Sequence, residues 1–394
     1  MLLLVGCGGA SEAPRPPSSL VAASEGAPVE EVPECDERAP DVVRMSSTHR
    51  CVRRPDGSAY CARHDDSLQP VHVEAGVAQV AVSDGYFCFR MVDGTVRCAA
   101  TPDRRLGPHA LDDLWDEVEG VARAVDVSAA RDHACAVVQG GGVRCWGSNE
   151  YGELGDGSTE PRSGAVAVRS VAGAVDVEVG DFACALLEDG TVSCWGTNMT
   201  PTASDVGLTG VAGISIGGLT GCAWTESGDV WCWGANESGQ AGVEPYPEYD
   251  EDQFLAEDPR FDQLHEPRRA FGGAQQVALG DRFGCGRFDG EVRCWGAEWS
   301  HPRSSEEGLR RTRNRSGRGG SAAQWRYSAT PMAVVGLCDA TALHAGGRRW
   351  CAVRGSGEVA CSDGEGLVTR TTSCRGRVSV SIAGGPVRPD DPCR

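Results

Sequence analysis

The cysteine pattern constrains the fold of this chain more than any other feature. Fourteen of its 19 cysteines form seven pairs, six with a spacing of ten residues and one with a spacing of nine. The pairs are Cys51 and Cys61, Cys88 and Cys98, Cys135 and Cys145, Cys184 and Cys194, Cys222 and Cys232, Cys285 and Cys294, and Cys351 and Cys361. Each pair brackets the same pattern, which in the fourth copy reads CALLEDGTVSCWG from Cys184 to Gly196. Two alternating runs around a Gly-containing turn predict a β-hairpin.

The two cysteines of a pair are placed symmetrically about the turn, which in the fourth copy is centred on Asp189. They therefore face each other across two strands, where opposed Cα atoms lie roughly 4.5–5.5 Å apart, within the roughly 4.4–6.8 Å that a disulfide spans. Zinc-binding pairs are usually about two to four residues apart, so that both thiolates reach one ion. We therefore predict a disulfide in each hairpin and no metal site.

Further strands flank each hairpin. Short alternating runs precede it, such as Val125–Ser128 and Val175–Glu178, and apolar runs such as Ala165–Val171 follow before the next copy. Each repeat therefore contains about four strands, which is the size of a propeller blade. We predict an all-β fold, a seven-bladed β-propeller with four-stranded blades that are stapled by disulfides.

The third copy, Val125–Gly157, reads VDVSAARDHACAVVQGGGVRCWGSNEYGELGDG and closely resembles the repeat of the regulator of chromosome condensation (RCC) family. Copies four and five keep CWGTN and CWGAN, and copy six keeps CWG, whereas copies one, two and seven lose the Trp-Gly. The resemblance covers most of the chain from about Val42 onward, and it points to a bacterial secreted or lipoprotein type. It implies a seven-bladed propeller. The family includes nuclear exchange factors for a small GTPase and bacterial secreted proteins, some of which inhibit β-lactamases.

The N-terminal sequence indicates export. Leu4-Val5-Gly6-Cys7 resembles the lipobox of bacterial lipoproteins, although only six residues precede Cys7. The following residues are rich in Ala, Ser, Pro and Glu, a composition that cannot bury a core. Nineteen cysteines also favour an oxidising compartment. We predict a truncated lipoprotein signal at 1–7 with an acylated Cys7, a disordered tether at 8–40 and the propeller at 41–394. The predicted location is the bacterial cell envelope, lipid-anchored on the periplasmic side or at the surface, or outside the cell, with membrane contact through the lipid alone.

Composition and motifs exclude several classes of function. A net charge of −19 disfavours binding to nucleic acid, and the absence of lysine excludes Schiff-base chemistry. The eight histidines show no metal-ligand spacing, and no nucleophile elbow, phosphate-binding loop or dinucleotide fingerprint appears. We expect no catalytic residue, no metal, no cofactor and no enzymatic activity. The recurring Trp-Gly pairs are read as packing between blades, with a ligand-stacking platform as the alternative.

Two insertions interrupt the repeats. Residues 243–269 are rich in acidic and aromatic side chains, and residues 298–327 are rich in Arg and aromatic side chains. Such composition is typical of interfaces, and the candidate partner-binding residues are Tyr246, Tyr249, Trp299 and Trp325. The predicted function is a protein-binding or scaffold module of the cell envelope with an unidentified protein partner. The alternatives are an enzyme or enzyme inhibitor that uses one propeller face, and a purely structural envelope protein. The pairing of Cys35, Cys338, Cys374 and Cys393 stays open.

Overall fold

The structure is a computed structural model that describes residues 42–46, 49–63, 71–73, 75–84, 86–100, 116–244, 263–297, 310–312, 325–334, 336–362 and 367–370. These residues belong to one compact unit, Glu37–Arg394, and a shorter unit, Met1–Asp36, lies outside them. The predicted signal at 1–7 and the whole of the predicted tether at 8–40 therefore fall outside the described residues. Within the described ranges the chain forms strands and turns and no helix.

The strands form antiparallel sheets in which neighbours along the chain are neighbours in the sheet. The first two sheets are Val42–Met45 (β1), His49–Arg53 (β2), Ala59–Arg63 (β3) and Val71–Val73 (β4), then Val77–Val82 (β5), Tyr86–Met91 (β6), Val96–Ala100 (β7) and Asp116–Glu117 (β8). The third and fourth are Ala124–Ala129 (β9), His133–Val138 (β10), Gly142–Gly147 (β11) and Arg162–Ala167 (β12), then Ala174–Val179 (β13), Phe182–Leu187 (β14), Val192–Gly196 (β15) and Ser204–Asp205 (β16).

The remaining sheets follow the same plan with one exception. The fifth is Val211–Gly217 (β17), Thr220–Thr225 (β18), Val230–Ala235 (β19) and Gln263–Phe271 (β20). The sixth is Gln276–Leu279 (β21), Phe283–Phe288 (β22), Glu291–Ala297 (β23), Arg310–Thr312 (β24) and Trp325–Ala333 (β25), and the last is Ala340–Gly346 (β26), Arg349–Arg354 (β27), Val359–Ser362 (β28) and Leu367–Arg370 (β29).

The sheets correct the prediction of seven four-stranded blades. Six sheets have four strands, and the sheet of β21 to β25 has five. The extra strand arises because β25 is nine residues long and pairs twice. Residues from Tyr327 to Ala333 pair with β23, while Trp325–Tyr327 pair with β24. Segment 298–327, predicted as an insertion, thus supplies β24 and the start of β25, and the end of segment 243–269 lies in β20.

The first strands of the sheets surround a common axis. Each of β1, β5, β9, β13, β17 and β21 contacts the first strand of the next sheet, and β26 contacts β1. This cycle of contacts gives an all-β propeller. At the junction of the first and last sheets, Arg44 Nη1 donates to His344 Nδ1 over 2.8 Å.

Tryptophan side chains fill the layers between sheets. Trp195 packs in a cluster with Val137 and Leu154 of the preceding sheet and its loop, and Trp295 packs with Val230 of the sheet before it. Both indoles are fully buried. The glycine after the tryptophan is also required. Gly147 has a φ of 111°, and a Cβ added there would collide with the Asp132 carbonyl. The tryptophans therefore serve packing between blades, and the glycine permits a close approach of backbone within its own blade.

The paired cysteines lie directly opposite each other in the second and third strands of every sheet. All seven pairs are disulfide-bonded, with Cα atoms 4.0–4.1 Å apart. Cys338 is also disulfide-bonded, whereas Cys7, Cys35, Cys374 and Cys393 lie outside the described residues. The hairpins are thus covalently closed within each blade.

Candidate functional site

One end of the propeller brings together most of the features that can contact a ligand or partner. We call it the first-turn face, because the turns between the first and second strands of the sheets lie there, including those at Asp84, Arg131, Asp181, Asp281 and Arg348. In an antiparallel meander the third strand ends on the same side as the first. The third strands β19 and β23 therefore also end at this face, and β20 begins there.

The first strands line a central channel with a volume of about 390 Å³. One layer of its wall consists of residues that pair with the first cysteine of each hairpin. They are Arg44, Ala81, Ser128, Glu178, Ser215, Ala278 and His344. A second layer, two residues earlier in each strand, includes Gln79, Asp126, Asp176 and Gln276. The channel is therefore polar, and its charges are unevenly distributed.

Three carboxyl groups lie together on β9 and β13. Asp126 accepts hydrogen bonds from Gln79 Nε2 at 2.6 Å and from the Val177 amide at 2.9 Å. Burial, and then the neighbouring Asp126 and Glu178 carboxylates, raise the pKa of Asp176 well above its usual value. Burial also raises the pKa of Glu178 to about 7, against the opposing effect of the Arg44 guanidinium. The cluster therefore holds protons under conditions where isolated carboxyl groups have lost them.

The opposite wall carries Arg44 and His344. Burial, and then the adjacent guanidinium, lower the pKa of His344 well below its usual value. The imidazole is accordingly neutral, and its Nδ1 accepts from Arg44 Nη1. Among the described residues of the cysteine-facing layer, the full positive charge is thus that of Arg44, which interacts across the channel with the Asp176 and Glu178 carboxyl groups.

Acidic residues also surround the mouth of the channel at the first-turn face. Burial, and then the nearby Asp84 and Asp181 carboxylates, raise the pKa of Asp281, while Arg131 and Arg348 oppose that shift. The turns are held together by their backbones, since the Asp281 amide donates to the Gly347 carbonyl at 2.7 Å. The mouth is therefore a rim that carries both acidic and basic groups.

Sequence reasoning expected no convergence of acidic or basic groups, and the channel cluster was missed. Its signal was present in the matching VDV runs at 125–127 and 175–177, which place an Asp at one position of two successive first strands. Among the described residues no group of His, Cys, Asp and Glu has the arrangement of a metal site. No helix within the described ranges is long and apolar enough to cross a membrane.

The predicted partner-binding residues are only partly described. Tyr246, Tyr249 and Trp299 lie outside the described residues, and Trp325 is the first residue of β25, paired with Thr312. A residue that sequence reasoning missed is Tyr151, which lies in the connection from β11 to β12 at the first-turn face with 59% of its surface exposed. It was overlooked because it belongs to a regular repeat.

Two loops at this face share one hydrogen-bonding design. Asn149 Oδ1 accepts from the Leu154 amide at 2.9 Å, and Asn236 Oδ1 accepts from the Ala241 amide at 3.0 Å. Each loop then presents a carbonyl to the tryptophan of the next sheet that follows it in the ring. Glu153 O accepts from Trp195 Nε1 at 2.8 Å, and Gln240 O accepts from Trp295 Nε1 at 2.9 Å.

Comparisons with known proteins agree with these two loops. Segments 124–153 and 211–240, which end within these loops and include Asn149 and Asn236, match the regulator of chromosome condensation (RCC1) repeat. No curated protein sequence is significantly similar to the chain. Human WBSCR16 has a similar structure, at 18% identity and a TM-score of 0.56, over 81% of this chain and 85% of that protein. Prp20p from Saccharomyces cerevisiae, whose structure was described with its binding to Gsp1p and histones, matches at 16% identity and a TM-score of 0.46, over 81% of this chain and 70% of that one. The repeat match supports the RCC1 repeat family, and the likeness to WBSCR16 shows the propeller fold.

Proposed function

We propose that the protein is a protein-binding module whose partner docks on the first-turn face. The observation that carries this proposal is the convergence on one face of the channel mouth, the exposed Tyr151 and the ends of β19 and β23. After each of these two strands, a long segment of chain precedes the strand that pairs with it, which is β20 or β25. Regular strands and turns are explained by folding alone, whereas long connections in a compact repeat are commonly functional.

The composition of those connections supports a protein partner. The first contains Tyr246 and Tyr249 among acidic residues, and the second contains Trp299 among arginines. Aromatic and Arg side chains carry most of the binding energy at protein interfaces. Tyr151 adds a described aromatic side chain to the same face, and an RCC1-like propeller offers a rigid base for such a surface.

We also propose that the five-stranded sheet is a blade, so that the ring has seven. The closed cycle of first-strand contacts supports this count. We propose that the protein resides in the bacterial cell envelope, tethered by residues 8–40 to a lipid on Cys7. The lipobox-like Leu4-Val5-Gly6-Cys7 and the disulfides, which persist in oxidising compartments, support that location. The net charge of −19 argues against a nucleic-acid partner.

The experiment is chemical crosslinking of the protein in its native envelope, with identification of the attached protein. A variant in which 245–262 is replaced by a short Gly-Ser linker keeps β20 intact and should lose the crosslink, as should Tyr151→Ala to a lesser degree. The matched control is Val92→Ser, because Val92 is 74% exposed on the opposite face, in the turn between β6 and β7. If the linker variant folds and keeps its partner at unchanged affinity, the proposed surface is wrong.

A further inference from the structure

The first strands of neighbouring sheets are joined by side chains. At the junction of β9 and β13, Asp126 Oδ2 accepts from the Val177 amide at 2.9 Å, and Ser128 Oγ accepts from the Val179 amide at 3.2 Å. Gln79 extends this link to β5 through Asp126 Oδ1. Asp126 therefore connects the first strands of three successive sheets.

Carboxyl groups border both of these amides. Val177 lies between Asp176 and Glu178 in the chain, and Asp176 also lies beside Asp126 across the junction. Ser128 Oγ donates to Glu178 Oε2 at 3.4 Å while its oxygen accepts from Val179. The two hydrogen bonds between β9 and β13 are thus sensitive to whether the neighbouring Asp176 and Glu178 carboxyl groups are ionised.

The charged groups that face this junction come from several strands. Asp126 lies on β9, and Asp176 and Glu178 lie on β13. Arg44 of β1 faces both β13 carboxyl groups, and the neutral His344 of β26 adjoins it. Arg90 of β6 donates to Gln79 Oε1 at 3.1 Å and interacts with Asp126, and Ser215 of β17 is uncharged. Two guanidinium groups, those of Arg44 and Arg90, therefore oppose three carboxyl groups, and full ionisation leaves one uncompensated negative charge at the junction.

We propose that the β9–β13 junction is a proton-operated clasp, in which a proton held between Asp176 and Asp126 keeps the third and fourth sheets together and its loss loosens them. The raised pKa values of Asp176 and Glu178 support this proposal. A carboxyl group whose pKa is higher in the folded than in the unfolded protein stabilises the fold at low pH. That contribution is lost as the pH rises through the folded-state pKa. For Glu178 the window runs from its ordinary value of 4.5 to about 7.

An equivalent junction without carboxyl groups provides an internal control. At the junction of β17 and β21, Ser215 Oγ accepts from the Leu279 amide at 3.0 Å, in the same register as Ser128 and Val179. Its residues in that layer, Ser215 and Ala278, carry no charge. If only the clasp loosens, the Val177 and Val179 amides should therefore lose protection from hydrogen exchange, while the Leu279 amide keeps it.

The experiment is amide hydrogen exchange on the full chain at pH 5 and pH 8, with protection factors corrected for the intrinsic pH dependence of exchange. In the wild type, protection at Val177 and Val179 should fall at least about tenfold at the higher pH, the equivalent of one pKa unit, while Leu279 keeps its protection. In Asp176→Asn, the pH dependence of protection at Val177 and Val179 should be clearly smaller than in the wild type, leaving only the part that Glu178 contributes. The matched variant Asp181→Asn removes a carboxyl at the channel mouth and should behave as wild type.

Two results would overturn the clasp. One is an Asp176→Asn protein that loses protection with pH as the wild type does. The other is a parallel loss at Leu279, which would indicate a global change. If Asp176→Asn does not fold, Glu178→Gln provides the same comparison, with a reduced pH dependence expected and an unchanged one contradicting the proposal. Because the readout is an amide of the propeller itself, the result is independent of the proposed partner.

Discussion

The loops that present a carbonyl to the next tryptophan lead to a paired prediction for two buried indoles. Trp195 and Trp233 are 0% and 1% exposed and occupy equivalent positions in successive sheets. Trp195 Nε1 donates to Glu153 O, whereas Trp233 Nε1 has no hydrogen-bond partner. The difference arises because the connection after β15 reads TNMT and lacks the GELG that follows Tyr151 and presents the Glu153 carbonyl.

Replacement by phenylalanine should therefore have unequal effects. Both variants lose a similar volume from a packed layer, so that cost cancels in the comparison. Trp195→Phe also leaves the buried Glu153 carbonyl unsatisfied, which costs about 1–3 kcal/mol. Trp233→Phe removes a buried N–H that has no hydrogen-bond partner, so the variant recovers part of the desolvation penalty of that N–H, which is also about 1–3 kcal/mol. We expect Trp195→Phe to be the less stable of the two by about 2 kcal/mol or more.

The measurement is unfolding in guanidinium chloride with the disulfides intact, followed by far-UV circular dichroism so that the loss of an indole does not affect the signal. Trp295→Phe serves as a second test, because its Nε1 donates to Gln240 O at 2.9 Å and the variant should behave like Trp195→Phe. Equal destabilisation of the Trp195 and Trp233 variants would refute the role assigned to the carbonyl-presenting loops.

Three further predictions follow from local geometry. Gly147→Ala should destabilise the protein by several kcal/mol more than Gly207→Ala in the same unfolding assay. Both glycines have a positive φ, which alone costs an alanine about 1–2 kcal/mol. Only the Cβ added at Gly147 would also collide with neighbouring backbone. Arg44→Gln should raise the pKa of both His344 and Glu178, because the guanidinium lowers each; NMR titration of the imidazole would show no upward shift if the contact is absent. Replacing both cysteines of any one hairpin with alanine should lower stability by about 2–3 kcal/mol for a loop of this length, and an unchanged denaturation midpoint would contradict the bond.

The sequence predicts the repeated hairpins and their disulfides, but it does not predict the features that occur in one sheet alone. The register of Cys184 against Cys194 follows from symmetry about a turn, and that is a local property of the chain. The fifth strand of the sheet from β21 to β25 was not predictable in the same way, since Arg310–Thr312 pairs with residues that follow a long non-repetitive stretch. Pairing there depends on distant segments meeting, and no periodicity reports it.

The channel cluster escaped for a related reason. Asp126 and Asp176 are fifty residues apart and each was read as the polar half of an alternating strand. Their proximity appears only when successive first strands are placed side by side around an axis. Position in the repeat would have indicated it, because identical positions in neighbouring blades are adjacent in the channel.

The closeness in sequence of every hairpin's two cysteines has a consequence for biosynthesis. Partners nine or ten residues apart meet soon after both have been made, because short loops close in about 10–100 ns and at low entropic cost. In the export from the N-terminus that we propose, each thiol pair can oxidise before the next pair has entered the oxidising compartment. We therefore expect these seven bonds to form in chain order with few mispaired intermediates, and the blades to be covalently set before the ring has assembled.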